Sequence, residues 1–203
     1  MIVIRSASPY PRSGALASRH VMEDSVKGQL LIAGPALWDT NFRRTVVLVG
    51  DHDENGALGV VLNRPAGATV GEAVPSLASL VGPDEPLFVG GPVQPESAVI
   101  LGDFTDPERA GLLAFGSVGF LIGDVEVEDA VSLRAARVFA GYAGWGPGQL
   151  DLEMQEDQAW IPEAATPGDV FTPEPSRLWD RVVQRKGKEF AFLRTMPFDP
   201  SLN

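Results

Sequence analysis

The dipeptide Asn55-Gly56 lies between two apolar runs, Thr45 to Val49 and Ala57 to Leu62, and constrains this chain more than any other short feature. Asparagine and glycine both accept positive φ, which a type I′ hairpin turn needs at its two central residues. Strands over 45–51 and 57–63 are therefore expected to pair antiparallel. Asp51-His52-Asp53-Glu54 runs into that turn and carries metal-ligand residue types. Successive strand residues face opposite ways, however, and the other histidine, His20, lies far off in the N-terminal stretch. A solvated hairpin tip is the favoured reading, and no metal site is assigned.

The remaining elements are short and irregularly placed. Gln29 to Ala33 reads as a strand closed by Gly34-Pro35, preceded by a short helical entry over 22–27. Asn63-Arg64-Pro65 ends the second hairpin strand, because proline removes a ladder donor. Thr69 and Glu72 have capping-box spacing for a short helix to Val74, and a second short helix is expected over 76–81. Further strands are expected over 87–89, 98–101, 112–115, 120–122, 137–143 and 159–161, with an edge strand at 169–171. An exposed acidic stretch is expected at 124–129. Helices are expected over 149–156, from a Ser176 cap to about Lys186, and over 190–194. This is no regular βαβ series, so the class is α+β with a largely antiparallel or mixed sheet. Residues 21–203 read as one domain. The first twenty residues, with Pro9, Pro11, Ser13 and Gly14, read as a disordered tail without the apolar stretch of an export signal.

Composition narrows the function classes. The chain has no cysteine, which removes disulfides, thiol chemistry and cysteine-based zinc sites. No run of eighteen apolar residues is present, so no membrane helix is expected, and with no export signal read at the start a cytoplasmic home is expected. Sixteen basic residues against 27 acidic leave a net charge of −11, which repels polyanions and disfavours direct DNA binding. The local exception is 176–194, where Arg177, Arg181, Arg185, Lys186, Lys188 and Arg194 outnumber Asp180 and Glu189. Arg177, Arg181 and Arg185 form a stripe at i, i+4 and i+8 that suits phosphate or an acidic partner. A solvated helix face is the commoner cause of such a stripe.

No catalytic residue or cofactor can be assigned. His52 is the one base within the expected domain, and no G-x-S-x-G elbow occurs. The segment Gly141-Tyr142-Ala143-Gly144-Trp145-Gly146-Pro147-Gly148-Gln149-Leu150 runs from a strand through glycines into a helix. Such a helix start suits an anion. It lacks the lysine and hydroxyl of a P-loop, and Asp151, Glu153 and Glu156 already serve the helix dipole. A structural turn that seats Trp145 is favoured.

These residues together resemble the YqgE/AlgH family of bacterial proteins, over nearly everything from Gly28 to Phe198. The resemblance rests on Gly28 to Ala33, Phe42 with Arg44-Thr45-Val46, and His52 with Gly56 to Pro65. Gly90-Gly91-Pro92-Val93, Gly141 to Trp145 with Gly148-Gln149-Leu150, and Ala159-Trp160 complete it. It implies an α+β fold with a curved, partly barrel-like sheet, short flanking helices and a cytosolic location. It also implies the transcriptional-regulator description attached to a branch linked to alginate control. No helix-turn-helix with a basic recognition helix supports that description in these residues. Gly50-Asp51 stands where relatives often carry cysteine, and Gly34 to Trp38 departs from a form with methionine near the proline, so a thiol role cannot operate here.

The same motifs suggest a groove. If the strand ends at Asn63-Arg64, Gly90-Gly91 and Tyr142 to Gln149 converge, Asn63, Arg64, Gly90, Gly91, Tyr142, Trp145 and Gln149 would line it. The alternative is that these glycines are only bends in a tightly curved sheet. The functional expectation is a non-catalytic binding or regulatory protein with a small-molecule or protein partner. An enzyme of hydrolase type, or a regulator of transcription, is the runner-up.

Overall fold

The computed structural model describes residues 25–37, 39–122, 132–155 and 159–195. The expected tail, most of the helical entry, Trp38, the acidic stretch 124–129 and Glu156 lie outside them. Strands β2 (Val46–Asp53) and β3 (Gly56–Val61) form the expected antiparallel hairpin, closing at Asp53 opposite Gly56. Its turn is not type I′ at Asn55-Gly56. The two loop residues are Glu54 and Asn55, neither with positive φ, and Asp53 Oδ1 accepts from the Asn55 N–H at 2.8 Å. That local side-chain bond sets the turn one residue earlier. Gly56 (φ +131°) opens the returning strand, where a Cβ would lie 2.2 Å from the Trp145 carbonyl oxygen.

Ten strands make one curved, unclosed sheet: β1 (Gln29–Ala33), β2, β3, β4 (Pro65–Thr69), β5 (Pro86–Val89), β6 (Val93–Phe104), β7 (Leu112–Phe115), β8 (Val118–Leu121), β9 (Leu133–Trp145) and β10 (Trp160–Ala164). The order is β10-β1-β2-β3-β9-β6-β8-β7, with β5 paired to β9 and β4 paired to β5. The sheet is mixed because β5 runs parallel to β9, placing Phe88 beside Phe139. The long strand β9 is its spine. It pairs with β6 along most of its length and with β3 at Ala57–Trp145 and Gly59–Ala143. Curvature brings the far edge back over the first strands. A Cβ on Gly28 would sit 2.6 Å from the Ala114 carbonyl of β7, and one on Gly50 2.4 Å from the Phe120 ring of β8.

Several boundaries differ from the sequence expectation. Pro65 does not merely end a strand; it starts β4, which pairs with β5 only at Pro65–Phe88 and Thr69–Pro86. β6 and β9 are 12 and 13 residues long, because each gains partners on both sides that extend it beyond its apolar centre. β10 passes through Pro162, which an edge strand tolerates. Residues 169–171 are not a strand. Thr166 accepts from the Asp169 N–H, and Asp169 accepts from the Thr166 N–H, a capping box that winds Pro167–Val170 into a helical turn. Ser25 and Val26 are not helical; they bond to His52 on β2.

The helices are α1 (Val70–Ala73), α2 (Ala78–Val81), α3 (Gln149–Gln155), α4 (Pro167–Val170) and α5 (Leu178–Lys186). The Thr69–Glu72 capping box forms as expected before α1. Ser176 does not cap α5, which instead continues from a 3-10 turn over Pro175–Arg177. Residues 188–195 continue in a 3-10 helix.

Both faces of the central strands are covered, so β1 and β2 read as continuous apolar runs. On one face Leu30, Ile32, Val46, Leu48 and Phe139 pack with Leu178, Trp179, Val182 and Val183 of α5. On the other, Leu31, Val47, Val49, Ala143, Trp145, Leu150 and Trp160 form a second layer. Burying each such side chain contributes about 1.5–3 kcal/mol. A third cluster, Val70, Leu77, Leu87, Ile100 and Val138, lies under α1 and α2. Among the described residues no helix is long and apolar enough to cross a membrane.

Candidate functional site

Asn63 and Arg64 brace the turn that precedes β2. Asn63 Oδ1 accepts from the Val46 N–H and its Nδ2 donates to the Arg44 carbonyl, both at 2.9 Å. Arg64 Nη2 donates to the Arg43 carbonyl at 3.0 Å. Burial lowers the Arg64 pKa, Asp39 opposes that shift, and Arg43 adds to it. Arg44 is held at φ +54°, a left-handed conformation rare outside glycine, and Asn63 bonds its carbonyl.

Backbone bonds join these residues to the next strand end. The Val89 N–H donates to Arg64 O, the Val61 N–H to Gly90 O, and the Gly90 N–H to Ala140 O. A Cβ on Gly90 would lie 2.2 Å from the Gly141 oxygen, and one on Gly91 2.2 Å from the Tyr142 carbonyl carbon. Asn63, Arg64, Gly90, Gly91 and Tyr142 thus share one junction, with backbone filling the space beside the glycines.

Trp145 and Gln149 are gathered by Glu153 on α3. The Glu153 carboxylate accepts from the indole N–H of Trp145 at 2.9 Å and of Trp160 at 2.8 Å, and from Gln149 Nε2 at 2.8 Å. Phe42 stacks on Trp145 and meets Trp160 edge-on, with centroids 6.2 and 5.5 Å apart. Gln149 Oε1 accepts from the Gly146 N–H at 3.0 Å, so the chain's own side chain occupies the helix start that suited an anion.

The arginine stripe divides. Arg177 is exposed and 3.8 Å from Glu174, and Arg181 is exposed. Arg185 instead clamps Asp169 and donates Nη2 to the Ala164 carbonyl at 2.8 Å. His52 is not a solvated tip residue, since its side chain is 2% exposed. Its Nδ1 accepts from the Val26 N–H at 3.2 Å, which leaves the proton on Nε2, 3.4 Å from Asp151 Oδ1. A histidine base presents one nitrogen to an orienting acid and the other to the reacting group. Here the second nitrogen is taken by backbone. Among the described residues no group of three His, Asp or Glu is placed to hold a metal ion.

Sequence reasoning missed Arg137. It lies on β9 two residues before Phe139, so it shares that residue's inward parity, and a charge at that parity was the available signal. Its guanidinium lies over the Phe88 ring, 4.6 Å from the centroid, and its Nη2 donates to the Thr172 carbonyl. Nη1 is shielded and has no hydrogen-bond partner among the described residues. Burial draws the Arg137 pKa down to about 10, with Glu85 acting in the opposite sense. Beside it opens a cleft of about 510 Å³, walled by Leu80, Val81, Phe88, Leu133 and Phe171, with Glu85 also lining it. A second cleft, about 520 Å³, lies between residues 73–77 and Pro95–Ala98, with Phe139 and Ala140 lining it.

The model of the AlgH-like domain family, DUF179, matches residues 30–191. A UPF0301 protein of Streptomyces coelicolor is 46% identical over 187 residues, covering 88% of this chain and 96% of its own. The crystal structure of DIP2367 from Corynebacterium diphtheriae superposes with a TM-score of 0.76 at 26% identity, covering 85% of this chain and 93% of that one. The solution structure of AlgH from Pseudomonas aeruginosa gives 0.64 at 28% identity, over 91% and 98%. With the matched segment running from β1 to the 3-10 helix after α5, the chain belongs to the AlgH-like, UPF0301 family.

Proposed function

We propose that this chain is a cytoplasmic, non-catalytic binding protein whose ligand site is the Arg137 cleft. The carrying observation is the half-buried Arg137 beside a cleft of about 510 Å³, with Nη1 shielded and unpartnered and no ion pair among the described residues. Glu85 favours the charged form without reaching salt-bridge distance, and an anionic ligand would supply the direct partner that the fold does not. The cleft's volume lies in the range of small-molecule sites, and apolar side chains stand in its wall beside Glu85, Arg134 and Arg137. A binding role is favoured over hydrolase chemistry because the His52 imidazole has both nitrogens engaged.

A second reading places the partner groove at the glycine-rich strand ends. The 520 Å³ cleft adjoins those ends through Ala140, whose carbonyl receives the Gly90 N–H, while none of the seven expected groove residues lines it. One thermal-shift screen with small organic ions separates the two. A stabilising ligand lost in Arg137→Met but kept in Ser76→Trp, which fills the second cleft, supports the Arg137 site. The opposite pattern supports the strand ends. A ligand held at 100 times its Kd should add about 2.7 kcal/mol.

A further inference from the structure

The Arg137 cleft has a second charged group, and its position restricts the ligand. Glu85 is exposed at the rim, in the turn between α2 and β5, and it does not pair with Arg137 within salt-bridge distance. Arg137 is less exposed, its guanidinium over the Phe88 ring and one nitrogen donating to the Thr172 carbonyl. Arg134 also lines the cleft, but its Nη1 is 3.0 Å from Asp103 Oδ1, which neutralises it. One cation without a salt-bridge partner among the described residues therefore faces one rim carboxylate, with Leu133 and Phe171 in the wall beside them.

Resting on the reading that this cleft is the ligand site, we propose that its ligand is an amphipathic monocarboxylate. The carboxylate head exchanges for Thr172 as acceptor on Arg137, and an apolar body lies between Phe88, Leu133 and Phe171. A guanidinium edge matches a carboxylate with two parallel donors, and a single negative charge adds less repulsion from Glu85 than a double one. A phosphate monoester brings up to two charges at neutral pH, and its surplus charge would sit in the field of Glu85. A cation finds Glu85 but must lie against Arg137. The apolar walls supply affinity only to a ligand with an apolar body, which leaves inorganic anions weakly held.

NMR titration of the full chain with 3-phenylpropionate, phenyl phosphate and 2-phenylethylamine tests this. The expected result is that 3-phenylpropionate moves the amide resonances of residues 133–137 and Thr172. It should bind about tenfold more tightly than phenyl phosphate, as one excess desolvated charge implies. The amine should move none of these resonances. Arg137→Met should abolish the response. Glu85→Gln, at an exposed position that leaves packing intact, should tighten phenyl phosphate binding about two- to fivefold. Phenyl phosphate binding as tightly as the carboxylate, with both lost in Arg137→Met, would overturn the ligand class while the site stands. Carboxylate binding unchanged in Arg137→Met would overturn the site itself. No response to 3-phenylpropionate overturns the class, and the thermal-shift screen then decides the site alone.

Discussion

Arg185 and Asp169 meet across 16 positions of sequence, one guanidinium nitrogen lying 2.9 and 3.1 Å from the two carboxylate oxygens. The Asp169 side chain is 4% exposed and also closes the capping box of α4. The pair ties α5 to the segment that leaves β10. Removing the arginine strands a buried carboxylate, so Arg185→Gln should destabilise the fold by about 2 kcal/mol, the exposed side of the arginine reducing the full buried-pair effect. Arg181→Gln, on the exposed face of the same helix, should stay within about 0.5 kcal/mol of the parent. Urea denaturation of the two variants checks the contrast, and equal losses would return the three arginines to a single functional stripe.

Glu153 accepts from Trp145 and Trp160 at once, so its loss orphans the indole N–H groups of two buried tryptophans. Glu153→Ala should destabilise by about 2–3 kcal/mol, with partial compensation by water. Tryptophan fluorescence should shift to the red as the pair loosens. An unchanged emission maximum together with unchanged stability would mean that the aromatic stack holds its geometry without the carboxylate.

Gly91 is a packing glycine, with Tyr142 backbone where a Cβ would go. Gly91→Ala should cost more than about 3 kcal/mol or prevent folding, because backbone must move. Gly67 has φ +80° but open space, so Gly67→Ala should cost only about 1 kcal/mol, from backbone conformation alone. Thermal melts of both variants test the difference. Similar small shifts would show that β9 and the Gly90-Gly91 segment can separate freely.

Arg137→Met should leave stability equal or raise it by about 1 kcal/mol, since a methionine covers Phe88 without bringing a half-buried charge. Ligand binding should vanish in the same variant, the pattern of a residue kept for function at the expense of stability. A calorimetric melt beside a binding titration reads both quantities. A fall of several kcal/mol would identify the guanidinium as a structural strut for Thr172 instead.

Much of the fold is legible along the chain because the signals are local. The Thr69–Glu72 box, the hairpin between β2 and β3, and the absence of βαβ order all follow from neighbours within a few residues. Thr166 and Asp169 carry that same box spacing, yet Asp169-Val170-Phe171 reads as an edge strand on β propensity, and the caps outweigh that propensity. Of the expected groove residues, Asn63, Arg64, Gly90, Gly91 and Tyr142 do come to one junction. Trp145 and Gln149 go to Glu153, because the carboxylate that collects them lies on the other side of the Gly-Pro-Gly break.

The sequence by itself determined the class, the elements with local caps and turns, the acidic surface charge and the family. Each depends on residue type or on spacing within one element. The tertiary structure alone decided that Gly56 and Gly91 serve close backbone approach, that Arg185 is tied to Asp169, and that Arg137 lines a cleft with Nη1 unpartnered among the described residues. These depend on which distant segments meet across a curved sheet, and a charge or a missing side chain acquires its meaning only from what packs against it.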